Sequence, residues 1–276
     1  MLTSLFDDRV FRYLVAAGSA VLLLITALYI SPVYKAVGEP TMLWIYDLTI
    51  VVVVAITVVL MAQITLTFER GEILRTVWFM LTIGLFLWLV GEIVWAYNDL
   101  FAEEELPYPS LADAGWLAGY VPLFVGFLLR FISLRTLPTG REIALIGAVI
   151  LLMLVIGIVF VIEPMITYEG YEDRSTQVID LLYPVGDLAV AFVALLSVVV
   201  LAGGMLSYPW LVLAGGFLVT SVADLLFSYA TWNEIYLPGQ DLGTNLATFG
   251  ADIPYLAGYL LIFWGIIMQA RLRRVM

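Results

Sequence analysis

The chain reads as an all-α integral membrane protein with eight transmembrane helices. They are arranged as two parallel four-helix repeats, residues 1–135 and 136–276, with both termini in the cytoplasm. Three observations predict this. Composition comes first: of 276 residues, 63% are hydrophobic and 13% charged, and the mean hydropathy is +1.05, well beyond the usual range for a soluble domain. Second, eight apolar stretches are long enough to cross a hydrocarbon core of about 30 Å, which takes about 20 residues of helix. Third, one half of the chain is a worn copy of the other. Ala112-Asp113-Ala114-Gly115-Trp116-Leu117-Ala118-Gly119-Tyr120 is echoed by Ala251-Asp252-Ile253-Pro254-Tyr255-Leu256-Ala257-Gly258-Tyr259.

The expected spans are 10–31, 42–66, 76–98, 110–133, 142–163, 178–204, 208–232 and 246–270. The first follows Arg9 and Arg12, and its exit, Ala27 to Pro32, lacks a small-x-small cleavage site, so it is read as a retained helix and not a signal peptide. The first and fifth spans both end at a Pro, Ser31-Pro32 and Glu163-Pro164. The second opens on Tyr46-Asp47-Leu48, the sixth carries Gly186-Asp187-Leu188, and Pro184 before it predicts a kinked or restarted helix. The third and seventh run from Trp78 and Trp210 through Gly84 and Gly216 to Glu92 and Asp224, at a constant offset of 132 residues. The fourth and eighth share the nine-residue echo at an offset of 139. The offset changes within loops, which tolerate insertions. Four spans per copy is an even number, so both copies enter the membrane the same way and sequence-matched residues lie at matched depths.

Basic residues orient the bundle. Arg9, Arg12, Arg70, Arg75, Arg130, Arg135, Arg141, Arg271, Arg273 and Arg274, ten of twelve bases, fall on one side, leaving Lys35 and Arg174 on the other. By the positive-inside rule that side is cytoplasmic. Of 23 acids only Asp7, Asp8, Glu69, Glu72 and Glu142 share it, so the net charge of −11 belongs to the outer face. Such a face attracts cations and repels nucleic acid. The chain has no Cys and no His, which excludes disulfides, zinc sites and histidine-ligated haem, and its only lysine, Lys35, lies in a loop, which excludes an intramembrane Schiff base. No cofactor is expected, although carboxylates with freed carbonyls suit a hard cation.

Six acids pair across the copies in the outer half of the membrane: Asp47 with Asp187, Glu92 with Asp224, and Asp113 with Asp252. A carboxylate at the centre of a span costs about 2.5–3.5 kcal/mol on insertion scales, so such residues usually have a partner or a task. Asp113 fits a helix cap after Pro109-Ser110, whereas Asp252 lacks the matching Ser. Asp47 and Asp187 read equally as helix entrances or as ligands. Glu92 and Asp224 lie near helix C-termini, where the dipole disfavours an anion, and neither has a base within a turn. The expected binding set is therefore Glu92, Asp224, Asp47 and Asp187, with Trp88, Trp95, Tyr97 and Tyr229 beside them. Asp113, Asp252, Tyr120 and Tyr259 form a structural or secondary set, each Tyr lying seven residues after its Asp on the same helical face. Phe227 is also expected beside the deeper acids, whereas Tyr29, Tyr34, Trp44, Tyr108, Trp116, Trp232, Tyr236 and Tyr255 are expected mostly in interfacial belts. Glu103-Glu104-Glu105 is expected as a solvated loop, and Gly203-Gly204 and Gly215-Gly216 as packing contacts.

The stretch Gly91-Glu92-Ile93-Val94-Trp95-Ala96-Tyr97, followed by Leu106 to Asp113 and Leu117 to Tyr120, resembles the polytopic sensor region that precedes diguanylate cyclase and histidine kinase modules. That likeness implies membrane-embedded sensing, with Glu92, Asp113, Asp187 and Asp224 on matching positions. Because these 276 residues hold no cyclase or kinase, it also implies a separate cytoplasmic or membrane signalling partner. A second likeness, in helix number and intramembrane aspartates, is to the lysoplasmalogenase family, and it implies hydrolysis of a vinyl ether lipid by two carboxyl groups. The leading expectation is a sensory module of the cytoplasmic membrane that binds a cation, a cationic small molecule or protons in an outward-facing acidic cavity. A lipid hydrolase or a transporter is the alternative. Against the transporter, the inner halves of the spans are nearly free of ionisable groups, Gln63 being the main polar exception.

Overall fold

The computed structural model describes residues 9–30, 36–102, 108–134, 139–167, 174–201, 207–236 and 246–275. The expected features at Asp7, Asp8, Ser31-Pro32, Tyr34, Lys35, Glu103 to Pro107, Arg135 and Gly203-Gly204 lie outside them. Eight helices are long and apolar enough to cross a membrane: α1 Arg9–Ile30, α2 Glu39–Leu66, α3 Ile73–Phe101, α4 Leu111–Ser133, α5 Gly140–Gly157, α6 Arg174–Leu201, α7 Ser207–Trp232 and α8 Leu246–Leu272. A π-helical turn, Ile158–Ile162, and a short helix, Glu163–Thr167, continue α5. No strand occurs among the described residues.

Local chemistry sets several helix ends. At α4 the Ser110 hydroxyl accepts from the Ala112 amide (3.1 Å) while Asp113 Oδ2 accepts from the Ser110 amide (2.7 Å), a capping box. Thr139 and Glu142 do the same for α5. Gly38, with φ of 81°, precedes α2, whose first turn carries Pro40. Of the kinked or restarted helix expected at Pro184, the restart is absent. α6 runs unbroken through it, as neighbouring helices allow within a membrane.

The closest packing is α3 on α4 and α7 on α8, with α4 against α6 and α8 against α2 joining the two units. Glycines set both tight crossings. A Cβ on Gly119 would stand 2.9 Å from Gly84 O and 2.4 Å from Trp88 Cδ1; one on Gly258 would stand 3.1 Å from Gly216 O and 2.4 Å from Thr220 Cγ2. Only hydrogen fits at either place, and backbone contact then replaces the missing hydrophobic drive between helices in lipid. Of the expected glycine pair Gly215-Gly216, Gly216 serves this crossing, whereas Gly215 faces open space. Between the units the core is aromatic: Trp78 packs on Trp210 with centroids 5.0 Å apart, and Phe127 lies edge-on to Phe217 at 5.3 Å.

Candidate functional site

Buried acids of α3, α4, α6 and α8 find neutral donors, chiefly tyrosines, on other helices. Glu92 on α3 is the most heavily bonded. Its Oε1 accepts from Tyr255 OH (2.6 Å) and Tyr259 OH (2.7 Å) of α8 and from Trp116 Nε1 (3.0 Å) of α4. Gly91 makes room for the Trp116 indole, since a Cβ there would stand 2.7 Å from its Nε1. A carboxyl that sequence leaves without a base is thus held by three uncharged donors.

Asp187 on α6 is 1% exposed. Its Oδ1 accepts from Tyr120 OH of α4 at 2.9 Å, its backbone carbonyl accepts from Ser221 Oγ of α7 at 3.4 Å, and the Asp224 carboxyl adjoins its side chain. Gly186 admits the Tyr120 ring, which a Cβ would meet at 2.6 Å. Two carboxyl groups can bond to each other only through a proton on one of them. In the fully ionised chain Asp187 Oδ2 accordingly has no donor. Asp47 on α2 is 5% exposed, and its Oδ2 also has no donor. It is not a helix entrance: Gly38 occupies the cap, and Asp47 lies two turns further in. Asp99, Glu92 and Asp252 are within electrostatic range of it. Asp47 and Asp187, the positions that sequence paired, therefore hold the unpartnered buried carboxyl oxygens among the described residues.

The secondary set is equally engaged. Asp113 caps α4 and its Oδ1 accepts from Tyr183 OH of α6 at 2.6 Å. Asp252, one turn deeper into α8, accepts from Tyr29 OH of α1 (2.7 Å) at Oδ2 and from Tyr236 OH (3.0 Å) at Oδ1, while its carbonyl accepts from Tyr46 OH of α2 (2.8 Å). Tyr236 lies outside the spans, and burial, with Asp252 adding to it, pushes its phenol well above the ordinary range. Tyr108 donates to Asp180, which also accepts from Trp232 Nε1 at 3.3 Å.

The aromatic expectations need correction. Trp88 is a buried packing centre: its Nε1 donates to Trp116 O at 3.0 Å, and its ring lies edge-on to Tyr120 (5.5 Å), Tyr259 (6.2 Å) and Phe217 (5.7 Å). Trp95 bonds Asp99 and packs on Trp116. Tyr97 is 65% exposed and packs on Phe101. Tyr229 is half-buried near the end of α7, where its carbonyl accepts from Asn233. The donors that matter come mostly from aromatics assigned to interfacial belts: Tyr29, Trp116, Tyr236 and Tyr255. Their signal in the sequence is depth, because they sit at the same helix ends as the acids.

Glu92 and Asp224 lie within electrostatic range of each other. Among the described residues no three acidic side chains approach closely enough to hold one metal ion, which leaves the hard-cation expectation without a preformed site. At the opposite end Gln63 is exposed on the outside of the bundle, whereas Arg130 and Gln269 are buried inside it. No known protein family, curated protein or solved structure matches the chain.

Proposed function

We propose that this protein is a receptor-like membrane module in which outer-face carboxyls take up protons or a small organic cation and thereby change how two four-helix halves are joined. One observation carries the reading: the acids are also the contacts between the halves. Tyr120 reaches Asp187, Tyr183 reaches Asp113, Tyr29 reaches Asp252, and Tyr255 and Tyr259 reach Glu92, each from the other half. Changing the charge of any of these carboxyls changes a bond across that boundary. A ligand shifts an equilibrium only by its differential affinity for the two states, and here the binding groups and the joint are the same atoms.

The parallel-repeat arrangement belongs to this proposal and has structural support. The glycine crossing of α3 with α4 recurs between α7 and α8 at offset-matched positions, and α4 on α6 corresponds to α8 on α2. The cytoplasmic placement of both termini rests on the arginine bias, and the likeness of Gly91 to Tyr97 to membrane sensor regions agrees with a signalling role through a separate partner. Protons fit best among the ligands, since the acids already touch tyrosine hydroxyls and a proton needs no added room.

The Asp187–Asp224 contact favours a second reading, lipid hydrolysis, because paired carboxyls can divide acid and base roles. One experiment separates the two. Thermal stability in detergent is measured across pH, divalent metals and polyamines for the wild type, Glu92→Gln and Asp224→Asn, alongside hydrolysis of a vinyl ether lysophospholipid. A pH- or polyamine-dependent shift that either variant abolishes, without turnover, supports the receptor. Turnover lost in Asp224→Asn supports the hydrolase, and responses unchanged by both variants refute the site.

A further inference from the structure

At the end of the bundle opposite the acids, the cation Arg130 is buried without an anion among the described residues. Arg130, in the last turn of α4, is 8% exposed. Its guanidinium lies 4.9 Å from the centroid of the Trp210 ring of α7, and its Nη1 donates to Ser133 Oγ at 3.3 Å. Its Nε has no acceptor, and it makes no ion pair among the described residues. The α4 carbonyl end and the indole face both favour a cation here. Neither satisfies the planar fork of donors, which is matched to a carboxylate or a phosphate. Trp210 itself stands in the first turn of α7, where the helix dipole favours an anion at the same corner. The position corresponding to Arg130 in the second half is Gln269, also buried, and its Oε1 has no donor. That half offers an uncharged amide in place of the fork, so the cationic corner belongs to Arg130 alone of the pair.

We infer that Arg130, with the first turn of α7, binds a phosphate oxyanion of the kind carried by anionic phospholipid headgroups and by inorganic phosphate. The site lies at the arginine-rich end of the bundle, which also holds Arg75, whose Nη1 donates to Phe68 O, and Arg273, which covers the Phe68 ring at 3.8 Å. An anion there clamps α4 of one half to α7 of the other.

The test uses delipidated full-length protein in a maltoside detergent, with melting temperature read after adding phosphatidylglycerol, inorganic phosphate or diacylglycerol, and native mass spectrometry counting retained lipid. Arg130→Gln removes the fork, Arg130→Lys keeps the charge without it, and Arg141→Gln changes an exposed neighbouring arginine. The expected result is a rise of several degrees with phosphatidylglycerol and none with diacylglycerol. The rise should fall by at least half in Arg130→Gln and in the folded, charge-preserving Arg130→Lys, and persist in Arg141→Gln. An equal rise with inorganic phosphate assigns the site to the free anion; a rise confined to the phospholipid assigns it to the headgroup. No rise in the wild type, or equal rises and equal lipid retention in all four proteins, overturns the inference.

Discussion

The Tyr120–Asp187 bond is the cleanest place to ask whether the halves are joined through carboxyls. The pair is buried, spans α4 and α6, and has an O–O distance of 2.9 Å. Tyr120→Phe, Asp187→Leu and the double variant form a cycle in which each single change removes the bond while leaving ring and side-chain volume nearly intact. Hydrogen bonds between membrane helices average about 0.6 kcal/mol in such cycles, with a maximum near 1.7 kcal/mol, whereas bonds to a charged group run to about 1.5–3 kcal/mol. With Asp224 beside Asp187, a proton shared within the pair leaves Tyr120 facing less than a full charge. We therefore expect a coupling of about 0.6–1.7 kcal/mol at neutral pH, rising toward about 1.5–3 kcal/mol in an Asp224→Asn background, where no second carboxyl shares the proton and Tyr120 faces a fuller charge. The assay is reversible unfolding in mixed micelles. A coupling indistinguishable from zero refutes the bond as a joint.

Three further outcomes follow from single contacts. Gly258→Ala forces a Cβ to within 2.4 Å of Thr220 Cγ2 and 2.9 Å of its amide nitrogen and should cost about 1–3 kcal/mol, while Gly215→Ala, with nothing within 4 Å, should be neutral in the same melting assay. Asp47→Asn removes a buried carboxylate oxygen that has no donor, a defect of about 1–3 kcal/mol, so it should leave the unliganded protein as stable as the wild type or more so; marked destabilisation in chemical unfolding would show that the oxygen is satisfied. Tyr236 has its phenol raised above the ordinary value near 10 by burial and by Asp252. The unfolded chain loses this proton first as pH rises, so stability should fall above about pH 10, and Tyr236→Phe should flatten that alkaline slope in a pH series of melts.

Much of the fold is legible in the sequence because a lipid environment narrows the choices. Backbone groups must be satisfied within each segment, so an apolar run of sufficient length becomes a helix, and each expected span has a helix over it. The Asp113 cap was legible for a similar reason: Ser110 and Asp113 are close in sequence, and their bond is local. Pro184 does not restart its helix, because a proline's effect depends on its neighbours. The site was half legible. Each acid could be named from the cost of its burial, but its donors could not, since Tyr29 and Asp252 are 223 residues apart and Tyr259 and Glu92 are 167 apart. A tyrosine near a helix end reads the same whether it faces headgroups or a carboxyl on the next helix. Helix rotation decides between these, and α2, α3 and α8 are apolar around most of their circumference, so no hydrophobic stripe reveals which face turns inward. Tyr97 was misplaced on that account: it shares a helix with Glu92 but not a face.

Infrared titration of the carboxyl C=O stretch in reconstituted protein tests the central claim most directly. A band that appears and disappears with pH, shrinks in Asp187→Asn, Asp224→Asn and Glu92→Gln, and shifts in Tyr120→Phe and Tyr259→Phe is the predicted result. A spectrum with no titrating carboxyl band, or one indifferent to all five substitutions, would contradict the account of the acids as a responsive joint between the two halves.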